Sequence, residues 1–176
     1  MPHIILIGFK NIGKTTIGKL LAKKLNIVFY DIDAEVEINY LKNMGEKLNF
    51  RQIAQKEGIE FFHKLEGEAL KSILEKDEIG IIATGGGSIL AKENRNLIKK
   101  QTVIYITAPQ NVVYKRIISN GIPAFFPKGK NPKDSFLKLW KEREPIYRGL
   151  ADVIIDNNAE PERVVEEIIE FLNNKK

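Results

Sequence analysis

The chain has 176 residues and no cysteine, so neither a disulfide nor a thiolate metal site exists. Its two histidines, His3 and His63, are too few for a zinc centre unless carboxylates complete it. No apolar run approaches the roughly 20 residues that a membrane helix needs. The N-terminus lacks the basic, apolar and small-residue layout of a secretory signal. A cytoplasmic protein without a membrane partner is therefore expected. No internal repeat or second domain is visible, which leaves residues 1–176 as one domain.

What is present is ordinary in amount and specific in arrangement. Hydrophobic residues make up 43% and charged residues 29%, enough for a full core. The net charge of +5 comes from lysines and arginines spread among acidic residues, as on solvated helix faces. That pattern does not point to nucleic acid, and a positive field also favours a nucleotide and an acidic small molecule.

The stretch that organises the chain is Gly8-Phe9-Lys10-Asn11-Ile12-Gly13-Lys14-Thr15. It fits the phosphate-loop pattern of two glycines followed by Lys and Ser or Thr. The glycines let backbone N–H groups curl around an anion. Lys14 brings charge to the β- and γ-phosphates, and Thr15 offers a hydroxyl to Mg²⁺. An apolar run, His3 to Ile7, precedes the loop, and helical spacing from Thr15 to Leu25 follows it. Strand, glycine loop and helix place an anion at a helix N-terminus. Gly8, Asn11, Ile12, Gly13, Lys14, Thr15 and Thr16 are the expected ATP-binding residues.

Further strands are predicted at 26–31, 79–84, 102–107 and 152–156, each a short apolar run. Helical patterns cover 34–40, 50–55, 59–74, 91–100, 109–119, 134–147 and 161–172. The alternation predicts an α/β fold, a five-stranded parallel sheet with helices on both faces. Asp31 and Asp33 close the second strand, and an extended backbone there would point both to one side. Two acids beside a phosphate loop can hold Mg²⁺ through water or accept a proton from an attacking hydroxyl. Capping of the next helix by Asp33 is the structural alternative. Gly85-Gly86-Gly87 directly follow a strand, which signals a close approach. The Gly- and Pro-rich segment 120–133 reads as a lid, with Lys128 and Lys130 available to phosphate.

In this order the pieces resemble the shikimate kinase family, relatives of the nucleoside monophosphate kinases. The motifs are the phosphate loop, Asp31-Ile32-Asp33, Gly58 with Phe62 and Glu66, the triple glycine, and Arg143-Glu144-Pro145-Ile146-Tyr147. The resemblance implies a three-layer phosphate-loop fold with a mobile lid, and a substrate-binding region at 34–75. It implies transfer of phosphate from ATP to shikimate with Mg²⁺, by a monomer. Lys14, Asp33 and Asp31 would be catalytic, with Thr15 and Asp31 at the metal. Asp33, His63, Glu66, Gly85, Gly86, Gly87 and Arg143 would meet the substrate, Arg143 gripping its carboxylate. Arg116 and Pro161 would flank the adenine. Two positions depart from the family: His63 stands where an Arg is usual, and Ile122 replaces the lid Arg. A kinase for another hydroxylated acid or polyol, or a non-catalytic nucleotide-binding module, is the alternative.

Overall fold

A computed structural model describes residues 2–119, 121–123, 125–127 and 129–175. Five strands form one parallel sheet: β1 (Ile4–Ile7), β2 (Val28–Asp31), β3 (Gly80–Ala83), β4 (Thr102–Thr107) and β5 (Val153–Asp156). Their order is β2-β3-β1-β4-β5, and helices pack around both faces. The central strands are apolar runs because a parallel sheet covered on both faces buries every side chain. From β1 the chain first builds β2 and β3 on one side, then β4 and β5 on the other. A crevice therefore opens at the carboxyl end of β1, where ligands bind in open α/β sheets.

The helices are α1 (Lys14–Leu25), α2 (Ile32–Met44), α3 (Phe50–Glu57), α4 (Ile59–Leu74), α5 (Lys92–Ile98), α6 (Gln110–Ile118), α7 (Pro132–Leu150) and α8 (Pro161–Asn174). A single 3₁₀ turn, Ser88–Leu90, links the triple glycine to α5. Among the described residues no helix is long and apolar enough to cross a membrane.

Two expectations are corrected. The backbone does not stay extended through Asp33: α2 begins at Ile32, and Asp31 is the cap, its carboxylate accepting from the Asp33 N–H at 3.1 Å. Between α2 and α3 stand two capped ends. Gly45 closes α2 in the left-handed region (φ 73°), and Asn49 with Gln52 forms a capping box for α3. The expected lid is shorter than 120–133, because Asn131 caps α7 and Pro132 opens it. Asn120 and Lys128 of that segment lie outside the described residues.

Candidate active site

The phosphate loop is pinned from behind before it can hold anything. Phe9, fully buried, stacks on Trp140 of α7 with ring centres 4.8 Å apart, and Tyr147 meets it edge-on at 5.0 Å. Asn157, just past β5, donates to the Ile12 carbonyl at 2.6 Å. Asn11 donates to the Arg116 carbonyl of α6 at 3.0 Å, tying the loop's outer side down. Gly8 adopts φ 143° against the carbonyl of Ile106, a place with no room for a Cβ. Neighbouring strands thus set the loop's shape.

In front of the loop lies a cavity of about 590 Å³. Asn11, Ile12, Gly13, Lys14, Thr15, Thr16, Asp31, Asp33, Gly85, Gly86 and Arg116 line it, as the sequence suggests. The Lys14 ammonium is buried and donates to the carbonyls of Gly8 (2.9 Å) and Phe9 (2.8 Å). Burial draws its pKa down to about 8, although Asp33 and Asp31 push it up. Asp33 moves the other way, to about 7. Burial is the main cause, the charges of Glu66 and Asp31 add to it, and Lys14 and Lys10 oppose it. A carboxyl poised near neutrality beside a buried lysine is fitted to exchange a proton at working pH.

Thr15 Oγ1 donates to Asp31 Oδ2 at 2.8 Å, both at the cavity wall. Among the described residues no group of three or more His, Cys, Asp or Glu is arranged as an all-protein metal cage. Magnesium does not ask for one. It takes one or two protein oxygens and completes its shell with phosphate and water, and a hydroxyl with a carboxylate fits that demand.

The triple glycine works by proximity. A Cβ on Gly85 would sit 2.9 Å from both Asp33 Oδ1 and Ser88 Oγ, and against Glu66. One on Gly86 would lie 3.0 Å from the Lys10 nitrogen, and one on Gly87 2.9 Å from the His63 ring. The Gly86 carbonyl accepts from Arg143 Nη1 at 3.0 Å and from the Tyr147 hydroxyl at 2.5 Å. Glu66, only 2% exposed, uses one oxygen for the Ser88 hydroxyl and the other for His63 Nδ1, 2.6 Å away.

Not every expected residue reaches the cavity. Gly8, His63, Glu66, Gly87, Arg143 and Pro161 are not among its lining. Gly8 forms the base of the loop, Pro161 is the first residue of α8, and the other four stand around the glycine turn. In the segment expected to be a lid Ile122 is 69% exposed, and Lys130 there and Lys115 on α6 are exposed and not part of the cavity lining. Lys10, Phe50, Arg51, Thr84 and Ser119 do line it, and sequence reasoning passed over them. Lys10 holds a variable position of the motif. The Asn49–Gln52 capping box was the available signal that a helix would present Arg51.

Comparison with known proteins agrees with this geometry. The family profile described as shikimate kinase matches residues 10–173. The chain belongs to the shikimate kinase family. It is 39% identical to the shikimate kinase of Aquifex aeolicus over 95% of this chain and 94% of that protein. With the enzyme of Thermodesulfovibrio yellowstonii it shares 38% identity over 96% and 94%. Among solved structures, shikimate kinase from Acinetobacter baumannii in complex with shikimate superposes with a TM-score of 0.85 and 28% identity, covering 100% of this chain and 95% of that one. The two residues expected to depart from the shikimate kinase pattern have clear positions here: His63 is tied to Glu66, and Ile122 is 69% exposed.

Proposed function

We propose that this chain transfers the γ-phosphoryl group of ATP to the 3-hydroxyl of shikimate, giving shikimate 3-phosphate and ADP. The observation that carries the reading is the pairing of Asp33 with Lys14 at the carboxyl end of the sheet, inside a cavity lined by the phosphate loop. Loop N–H groups from Asn11 to Thr15 receive the phosphates, and Lys14 leaves the Gly8 and Phe9 carbonyls to meet their charge. Thr15 and Asp31 would hold Mg²⁺, which when bound neutralises charge on the phosphate oxygens.

Asp33 orients the acceptor hydroxyl and takes its proton as the oxygen attacks γ-phosphorus and the β–γ bridging bond breaks. Gly85, Gly86 and Gly87 supply a wall without side chains, so the substrate ring can lie against backbone. Arg143, fixed by the Gly86 carbonyl, grips the substrate carboxylate with a planar fork. Glu66 and His63 act indirectly, by holding Ser88 and the glycine turn in place. Arg116 flanks the adenine from α6, and the turn before Pro161 closes its other side.

The reading has one catalytic domain acting as a cytoplasmic monomer on small molecules. Steady-state ADP release with and without shikimate tests it. Release that depends on shikimate is expected, and equal release in both conditions would overturn the assignment.

A further inference from the structure

Two cations that sequence reasoning passed over face the cavity without an ion pair among the described residues. Lys10 reaches it from the phosphate loop and Arg51 from the first turn of α3. Among the described residues neither has a carboxylate within salt-bridge distance. Arg51 stands in the first turn of α3, which holds no acidic residue of its own, although the Glu37 carboxylate of α2 accepts from the Phe50 N–H at 2.8 Å. Burial chiefly, and then the charge of Arg51, hold the Lys10 ammonium below its usual range while Asp33 raises it. Two like charges facing one cavity are what an anionic ligand would relieve.

Their surroundings identify the anion. The Lys10 backbone packs against Gly86, whose carbonyl holds Arg143. The Phe125 ring lies against Lys10 and Arg143, with Lys10 Nζ 5.7 Å and Arg143 Cζ 5.8 Å from its centre. Lys10 and Arg51 thus line the acceptor end, with Arg143 at the glycine turn beside the same Phe125 ring, while Lys14 and Thr15 serve the phosphate end. His63 is committed to Glu66. We propose that Lys10 and Arg51 form a second cationic grip on the substrate carboxylate, facing Arg143, and that this pair makes the site select an acid as acceptor. The proposal rests on the kinase reading above.

The test compares shikimate with its neutral methyl ester as acceptors, using the full chain and its Arg51→Ala, Arg51→Lys and Lys10→Met variants. For Arg51→Ala, KM for shikimate rises roughly 10–100-fold, the size of one lost charge-assisted hydrogen bond. KM for ATP stays within about twofold, and the preference for acid over ester shrinks by the factor that shikimate loses. Arg51→Lys recovers part of the loss, and Lys10→Met changes the same preference. The melting temperature of Arg51→Ala holds or rises, since a cation leaves a helix N-terminus. An unchanged acid-over-ester preference overturns the proposal, as does an equal loss on both acceptors. A rise in KM for ATP alone reassigns the pair to the nucleotide and overturns it too. A wild type that phosphorylates neither acceptor removes the kinase reading itself, and the grip with it.

Discussion

At the phosphate end of the cavity Lys14 and Asp31 already have partners: Lys14 two carbonyls, and Asp31 the Thr15 hydroxyl and the Asp33 N–H. At the acceptor end Lys10 and Arg51 have no ion-pair partner among the described residues, and Phe125 is exposed. The phosphate end comes from one contiguous loop and the end of β2. Segments near residues 10, 51, 86 and 143 converge to make the acceptor end. Polyphosphate is a fixed ligand that a short backbone motif can serve. On the proposed reading the acceptor is met by side chains from several elements, and His63 and Ile122, the two residues expected to depart from the family pattern, belong to that end.

The largest break in this comparison is at the phosphate end. Lys14→Ala should lower kcat by roughly 10³-fold or more, since the charge that meets the transferring group is gone. Circular dichroism should show the helices retained, and near-normal turnover would refute the role of Lys14.

Asp33 joins the two ends, and its loss should reduce kcat by roughly 10²-fold while KM for ATP hardly moves. Asp33→Asn should also stabilise the protein above pH 7 by about 1–2 kcal/mol in urea unfolding. The sign follows from a folded pKa raised from 3.8 to about 7. Stability from the neutral carboxyl is fully present below 3.8 and lost as pH rises through about 7. The gain on mutation therefore appears above 7 and vanishes in acid.

Activity has the opposite slope, because the base works only when ionised. At sub-saturating ATP, kcat/KM should rise with pH through about 7 and fall again above about 8 as Lys14 loses its proton. A profile flat from pH 6 to 9 would contradict both assignments.

The smallest effect is expected in the lid. Lys130 is exposed and away from the cavity, so Lys130→Ala should change kcat less than about twofold. A larger drop would give the lid lysines a part in the transfer.

The phosphate end was legible in the sequence because its information is local. An apolar run, two glycines, Lys14-Thr15 and a helical pattern are enough to place β1, the loop and α1. All five strands could be read from apolar runs, and Gly85 to Gly87 announced a close approach. Strand order was less accessible, since similar apolar runs pair in many ways. Asp33 was read as the residue before α2, yet the helix starts earlier because Asp31 is the better cap. Asn157 carries no local signal, since its bond to Ile12 spans 145 positions. Lys10 and Arg51 were hidden for the same reason: only the fold brings them to one cavity.

The most direct test of Asp33 as the residue that selects and activates the acceptor hydroxyl is phosphorus NMR of the product formed from ATP and shikimate. A single new phosphate monoester coupled to the proton on carbon 3, formed together with ADP, is the expected result. A monoester on another hydroxyl, or ADP with inorganic phosphate and no monoester, would contradict it.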